Sequence, residues 1–154
     1  MKLYLVQHGA AAAKEVNPER PLTAEGRADV ERLAAFLKRA GIRVERLIHS
    51  GKLRAEQTAE CIAAQIAPGI ELEASGLINP DDAPRAFDWQ SDSWDRDTLV
   101  VGHLPFLAKL VAHLVLGDES WLLAAFEPGT MVCLEHSDGA GWVIDWMIRP
   151  GLLR

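Results

Sequence analysis

Residues 3–9, with the sequence LYLVQHG, decide how this 154-residue chain begins to fold. The first four of these residues are apolar on both alternating faces, and the run stops at Gln7, His8 and Gly9. A short apolar run bounded by glycine is typical of a strand that is buried on both faces of a parallel sheet. The segment therefore predicts a buried parallel strand with a histidine at its carboxyl end.

Helical and strand-like patterns alternate along the rest of the chain. Thr23 is suited to cap the first helix, and Pro105 is suited to the first position of a later one. The apolar spacing predicts helices over residues 24–40, 55–66 and 105–116, and a short helix near Arg85. Strands are predicted at residues 47–48, 70–72 and 98–101, and at 130–136 and 142–148 around the turn 137–141.

This order of elements predicts the fold class. Strands that alternate with helices form a mostly parallel central sheet with helices on both faces. The two last strands add an antiparallel hairpin, so we expect a three-layer α/β sandwich with a mixed sheet. Linkers, repeats and low-complexity tracts are absent from the sequence, which predicts one domain over residues 1–154.

Charge and hydropathy exclude several classes of function. The chain has 16 Lys and Arg against 22 Asp and Glu, a formal charge of -6. An acidic surface disfavours nucleic acids and anionic membranes, which bind to basic fields. Apolar runs stay shorter than the roughly 18 residues of a membrane span, and the N-terminal run is too short for a signal peptide. We therefore expect a cytoplasmic protein whose partners are neither nucleic acid nor membrane.

Polar residues at the ends of the predicted strands indicate an anion site. His8 and Gly9 follow the first strand, Gly102 and His103 follow the strand at 98–101, and Arg54 begins a helix. Ligands of open α/β sheets bind outside the carboxyl ends of the strands. Helix N-termini and an arginine fork suit phosphate oxygens. The pattern predicts a phosphate-sized anion beside a histidine that acts as a nucleophile or as an acid or base.

Four ordered segments resemble the histidine phosphatase superfamily, whose fold is phosphoglycerate mutase-like. They are residues 5–9 (LVQHG), 20–23 (RPLT) with Gly26, 50–58 (SGKLRAEQT) and 101–105 (VGHLP). The short chain and these variants look most like the SixA-type phosphohistidine phosphatases. The resemblance covers essentially the whole chain.

The resemblance implies a role for each matching residue. His8 resembles the nucleophile that is transiently phosphorylated, and Arg54 and His103 resemble the groups that hold the phosphoryl oxygens. Arg20 resembles a further phosphate-contacting arginine, and Gly9 lets the backbone pass closely so that a carbonyl fixes the His8 tautomer. Such a two-step reaction needs no metal or other cofactor.

Two features depart from the family pattern. Gln7 stands where the family usually has arginine, and losing one charge-assisted contact costs on the order of 1.5–3 kcal/mol. Gln7 still offers an amide hydrogen bond to phosphate, and Lys52 or Lys14 is a candidate to replace the missing charge. For the general acid, only Asp81 and Asp82 are available in the segment 77–82 (LINPDD), and neither aligns cleanly.

The missing acid favours a particular substrate. A protonated imidazole leaves more readily than an alkoxide, so a phosphohistidine needs less acid help than a phosphate ester. The chain is also too short to carry a lid, and an open site accepts a side chain on another protein. The resemblance thus implies a metal-independent phosphatase acting on a phosphorylated phosphorelay or phosphotransferase protein, with phosphate or its analogues bound at the site.

Two alternatives remain open at this point. One is a small-molecule phosphomonoesterase. The other is a module that binds phosphate or phosphohistidine with little turnover because of Gln7.

Overall fold

The computed structural model describes residues 1–90 and 95–154 of the chain. Its strands are β1 (Lys2–Gln7), β2 (Arg46–His49), β3 (Leu72–Ala74), β4 (Thr98–Gly102), β5 (Met131–Ser137) and β6 (Gly141–Ile148). Its helices are α1 (Ala24–Arg39), α2 (Leu53–Ile66), α3 (Pro84–Gln90) and α4 (Phe106–Leu116), followed by a 3₁₀ turn at Pro150–Leu152.

The six strands form one mixed sheet in the order β3-β2-β4-β1-β5-β6. The pairs β3–β2, β2–β4 and β4–β1 are parallel, whereas β5 pairs with β1 and β6 in antiparallel fashion. This arrangement confirms the predicted α/β sandwich with a C-terminal hairpin. It places β1 and β4 side by side at the centre of the sheet.

Alternate residues of the central strands face two separate apolar clusters. Val6 faces the cluster formed with α1 and α2, and Leu5 faces the cluster formed with α4 and Phe87 of α3. Both side chains are completely buried. This explains why β1 is apolar without alternation, since each of its faces is covered by helices.

The helix ends follow the signals in the sequence. The Oγ1 of Thr23 accepts a hydrogen bond from the backbone N–H of Gly26 at 2.9 Å, as predicted for an N-cap. Gly41 and Gly117 adopt positive φ angles of 71° and 70° just after α1 and α4.

Most predicted boundaries differ from the observed ones by one or two residues, and the starts of β3 and α4 are two examples. The third strand begins at Leu72 rather than residue 70, because the N–H of Ile70 is used in a turn to the carbonyl of Ala67. Helix α4 begins at Phe106, and Pro105 is its N-cap residue rather than its first helical residue.

Close backbone contact joins the start of α1 to the segment after β1. A Cβ atom on Gly26 would lie 2.0 Å from the carbonyl oxygen of Ala10, and one on Gly9 would lie 2.8 Å from Val30. Only glycine permits this approach. Within the described residues, the helices are too short or too polar to cross a membrane.

Candidate active site

The two predicted strand-end histidines meet at the centre of the sheet. Gln7 of β1 is paired with Gly102 of β4, so the next residue of each strand leaves the sheet at the same edge. The backbone N–H of His8 donates to the carbonyl of Gly102 at 3.1 Å. The imidazole rings of His8 and His103 have centroids 4.9 Å apart and are inclined by 53°. Both rings are almost entirely buried.

The His8 ring is held in one tautomer. Its Nδ1 lies 2.7 Å from the carbonyl oxygen of Gly9. A carbonyl oxygen can only accept, so Nδ1 carries the hydrogen and Nε2 carries the lone pair. The Nε–H of Arg54 points at that Nε2 from 3.4 Å. The unprotonated Nε2 of His8 therefore faces a cation rather than a carboxylate.

Helix α2 holds Gly9 in position. The N–H of Gly9 donates to the Oγ1 of Thr58 at 3.0 Å, and that hydroxyl donates to the carbonyl of Arg54 at 2.8 Å. Thr58 is completely buried. The chain of hydrogen bonds fixes the first turn of α2, and with it Arg54, relative to the end of β1.

Burial keeps both histidines neutral. Desolvation lowers the pKa of His8 to about 4, with smaller contributions from Arg54 and Arg20, while the Gly9 hydrogen bond acts in the opposite direction. Desolvation also lowers the pKa of His103 to about 3, assisted by His8 and by three nearby cations, Arg54, Lys52 and Arg20. At neutral pH the site offers uncharged imidazoles surrounded by positive charge.

The cations of the site come from separate segments. Burial, and then the charge of Arg20, lowers the pKa of Arg54. Arg20 has a positive φ of 52°, which is unusual for a residue with a side chain, and its Nε donates to the carbonyl of Ala12 at 3.0 Å. Lys52 is the N-cap residue of α2, and its charge acts on His103. These cations converge although the whole chain is acidic.

Two polar atoms of the site are buried and have no hydrogen-bond partner among the residues that the structure describes. They are the Oε1 of Gln7 and the Nδ1 of His103. The Nε2 of His103 lies 2.6 Å from the Oγ of Ser50, which follows β2. Buried polar groups are usually paired, so unpaired ones are common where a ligand binds.

The structure brings most of the predicted site residues together. His8, Gly9, Arg54 and His103 are in direct contact or share hydrogen bonds, and Gln7 precedes His8 with its amide oxygen buried. Arg20 lies close enough to act on both rings through its charge.

The role of Thr58 and the contact of Ser50 with His103 could not be read from the sequence. Thr58 lies one helical turn after Arg54, a spacing that signals a shared helix face. The two candidate general acids, Asp81 and Asp82, are engaged elsewhere or exposed. The carboxylate of Asp82 accepts the N–H of Asn79 at 2.7 Å within its own turn, and Asp81 is exposed.

The geometry suits a phosphoryl group. A bare imidazole nitrogen can attack phosphorus, while the arginines and neutral donors around it can hold the equatorial oxygens. Among residues 1–90 and 95–154, the histidines, cysteines and carboxylates form no group that could hold a metal ion.

Comparisons with known proteins agree with a site for a phosphoryl group. The model of the histidine phosphatase superfamily (branch 1) matches residues 3–75. The phosphohistidine phosphatase SixA of Escherichia coli is 26% identical over 97% of this chain and 94% of its own length. An uncharacterised protein from a Picosynechococcus species is 33% identical over 77% of this chain and 75% of its own.

A solved structure agrees with the fold. The protein histidine phosphatase SixA, in complex with tungstate, superimposes with a TM-score of 0.86 at 24% identity, over the full length of both chains.

Proposed function

The chain belongs to the histidine phosphatase superfamily, and on that premise we propose that it removes phosphate from a phosphohistidine of another protein. One observation carries the proposal: the carbonyl of Gly9 holds the hydrogen of His8 on Nδ1 and leaves Nε2 bare beside Arg54. Histidine in that form is a nucleophile at neutral pH.

The reaction has two displacements at phosphorus. In the first, the Nε2 lone pair of His8 forms an N–P bond while the bond from phosphorus to the substrate imidazole breaks, and the leaving imidazole takes a proton from solvent. In the second, a water oxygen attacks phosphorus, the His8 N–P bond breaks, and inorganic phosphate and neutral His8 are released. Dividing the transfer in this way replaces one difficult step with two easier ones.

The surrounding groups stabilise the charge on the transferred group. We assign Arg54, Arg20 and His103 to the phosphoryl pocket, with the two arginines in contact with the phosphoryl oxygens and the neutral ring of His103 beside them. The amide of Gln7 is a neutral donor, and Gly9 fixes the nucleophile. Such fixed donors supply most of the acceleration of a phosphoryl transfer. We propose that no metal takes part.

No carboxylate of the described residues is placed as a clear general acid, and this favours phosphohistidine over a phosphate ester. Asp82 is used in its own turn, and an imidazole leaves with little help from an acid. E. coli SixA, to which the chain is similar, is named a phosphohistidine phosphatase. We therefore propose a phosphorylated cytoplasmic protein of a phosphorelay or phosphotransferase system as the substrate.

Phosphate release from a phosphohistidine protein, by the wild type and by His8→Ala, tests the proposal. We expect the wild type to form an acid-labile phosphoenzyme and release phosphate, and the variant to do neither. His136→Ala is the control, because His136 lies on β5 against Trp142, away from the site. Equal turnover by wild type and His8→Ala would contradict the mechanism.

The same assay separates the two alternatives. Turnover of small phosphate esters with none of phosphohistidine would identify a phosphomonoesterase. Binding of phosphate or vanadate in a 1:1 complex, without any phosphoenzyme, would identify a binding module.

A further inference from the structure

Ser50 contacts the site but has no part in the mechanism above. It follows β2 directly, and its side chain is 8% exposed. Its Oγ lies 2.6 Å from the Nε2 of His103, which is a short distance for a hydrogen bond between nitrogen and oxygen. The backbone N–H of Lys52 also points at this oxygen, from 3.4 Å.

The surroundings of His103 decide which of the two atoms donates. A neutral imidazole carries one hydrogen, and the Nδ1 of His103 is buried with no partner in the described part of the chain. A buried N–H without an acceptor is rarer in proteins than an unsatisfied acceptor. The hydrogen of His103 is therefore on Nε2, and it is donated to the Oγ of Ser50.

The hydroxyl of Ser50 is then left as a free donor. A serine hydroxyl can accept two hydrogen bonds and donate one. Its two lone pairs receive the Nε2–H of His103 and the N–H of Lys52, so its own hydrogen is directed elsewhere.

We propose that Ser50 belongs to the phosphoryl-binding site, where it accepts a hydrogen bond from His103 and donates one to a phosphoryl oxygen. This inference rests on the proposed function, because it presupposes a phosphoryl group beside His8. Hydrogen bonds in such a chain polarise one another, so the ring of His103 strengthens the donor that Ser50 presents.

A nucleophilic serine is the competing interpretation of the same pair. A serine within 2.6 Å of a neutral imidazole has the geometry of a nucleophile and its base. The Nε2 of His103 already carries the hydrogen that it donates to Ser50, however, so it has no lone pair with which to take the hydroxyl proton. Ser50 therefore remains a hydrogen-bond donor, and the N–P bond forms on His8.

The inference also bears on Gln7, the residue that replaces the family's arginine. Gln7 ends β1 and Ser50 follows β2, and both strands run toward the same end of the parallel part of the sheet. The hydroxyl of Ser50 adds a neutral donor to a site that lacks the guanidinium of the family pattern. Ser50 thus becomes more important in this chain than it would be beside an arginine.

Titration of tungstate into wild type, Ser50→Ala and Ser50→Thr tests the assignment, together with kcat and KM on a phosphohistidine protein. We expect Ser50→Ala to weaken tungstate binding at least ~10-fold, as expected for the loss of a hydrogen bond to a charged group. Ser50→Thr keeps a hydroxyl and should stay within about threefold of the wild type. Ser75→Ala is the matched control, because the Ser75 hydroxyl accepts the N–H of Leu77 in its own turn.

A spectroscopic measurement checks the geometry without any substitution. Long-range ¹H–¹⁵N correlation spectra of the wild type should place the hydrogen of His103 on Nε2. A hydrogen on Nδ1 would overturn the assignment, since Ser50 would then be the donor to His103.

The binding results separate this inference from the proposed function. If the wild type binds tungstate and releases phosphate, but Ser50→Ala does so equally well, Ser50 has no part in phosphoryl binding. If the wild type does neither, the proposed function fails, and the role of Ser50 fails with it. A purely structural role would lower the thermal stability of Ser50→Ala while leaving the affinity of its folded fraction unchanged.

Discussion

Gln7 is the residue that most distinguishes this site from the family pattern. Its backbone is fixed on both sides, because its N–H donates to the carbonyl of Thr130 and its own carbonyl accepts from Gly129. Its side chain is less well satisfied, since the Oε1 is buried with no partner within residues 1–90 and 95–154. The amide oxygen can only accept hydrogen bonds, so the NH₂ group is the part of this side chain that can contact an anion.

Restoring the charge at this position should tighten anion binding. We predict that Gln7→Arg binds tungstate about 10-fold or more tightly, because a charge-assisted contact replaces a neutral one. Isothermal titration of both proteins at the same ionic strength measures the difference. If phosphate release also rises by orders of magnitude, the native site is weakened by Gln7.

The opposite change provides the control. Gln7→Glu has nearly the same shape and adds a negative charge, so it should weaken tungstate binding relative to the wild type. Equal affinities in all three proteins would mean that residue 7 does not face the anion.

At the scale of elements, Thr58 joins α2 to β1. Its hydroxyl receives the N–H of Gly9 and donates to the carbonyl of Arg54. Replacing this hydroxyl with a methyl group leaves the buried N–H of Gly9 without an acceptor. The loss of this hydrogen bond affects both the free energy of unfolding and the position of the nucleophile, His8.

We predict that Thr58→Val lowers the free energy of unfolding by about 1–3 kcal/mol and slows phosphate release. Urea denaturation and the phosphohistidine assay measure the two effects. Thr58→Ser retains the hydroxyl and should recover most of the activity. An active, fully stable Thr58→Val would show that Gly9 is held by other contacts.

The start of α1 depends on the small size of Gly26. An added Cβ would meet the carbonyl oxygen of Ala10 at 2.0 Å, which forces the helix away from the segment after β1. We predict that Gly26→Ala destabilises the protein by at least about 1–3 kcal/mol, the usual cost of overpacking. Gly76→Ala is the control, since a Cβ there meets nothing within 4 Å. The midpoint of thermal or urea unfolding should be clearly lower for Gly26→Ala than for Gly76→Ala.

At the scale of the whole molecule, the buried histidines make folding depend on pH. The pKa values of His8 and His103 are lowered to about 4 and about 3, against about 6.5 for a histidine in an unfolded chain. Between pH 6.5 and 4 the unfolded chain therefore binds more protons than the folded protein, and stability falls as the pH falls.

We predict that the free energy of unfolding decreases between pH 7 and pH 5, by up to about 2 kcal/mol for each of the two histidines. Urea denaturation at both pH values measures the decrease. The double variant His8→Asn, His103→Asn should show a smaller decrease than the wild type. An identical slope in both proteins would mean that the two rings bind protons as readily in the folded protein as in the unfolded chain. The carboxylate of Asp29, whose pKa is lowered by Arg154, should add a further loss only at more acidic pH.

Much of the fold could be predicted from local sequence. The unbroken apolar run of β1 predicts a strand covered on both faces, and Thr23 and Gly41 predict the ends of α1, because capping depends on neighbouring residues. The start of β3 could not be predicted, since Ile70 is drawn into a turn by Ala67 rather than into the sheet by its apolar side chain. Strand boundaries depend on partners that are distant in the chain.

The sequence alone determined which residues stand at the strand ends, and with them the histidines and the arginine that a phosphoryl group needs. Only the tertiary structure decided the tautomer of His8, the lowered pKa values of both histidines and the contact of Ser50 with His103. Each of these depends on burial and on hydrogen bonds between groups that the strand order β2-β4-β1 brings together. Spacing along the chain does not specify such distances, because packing across the sheet sets them.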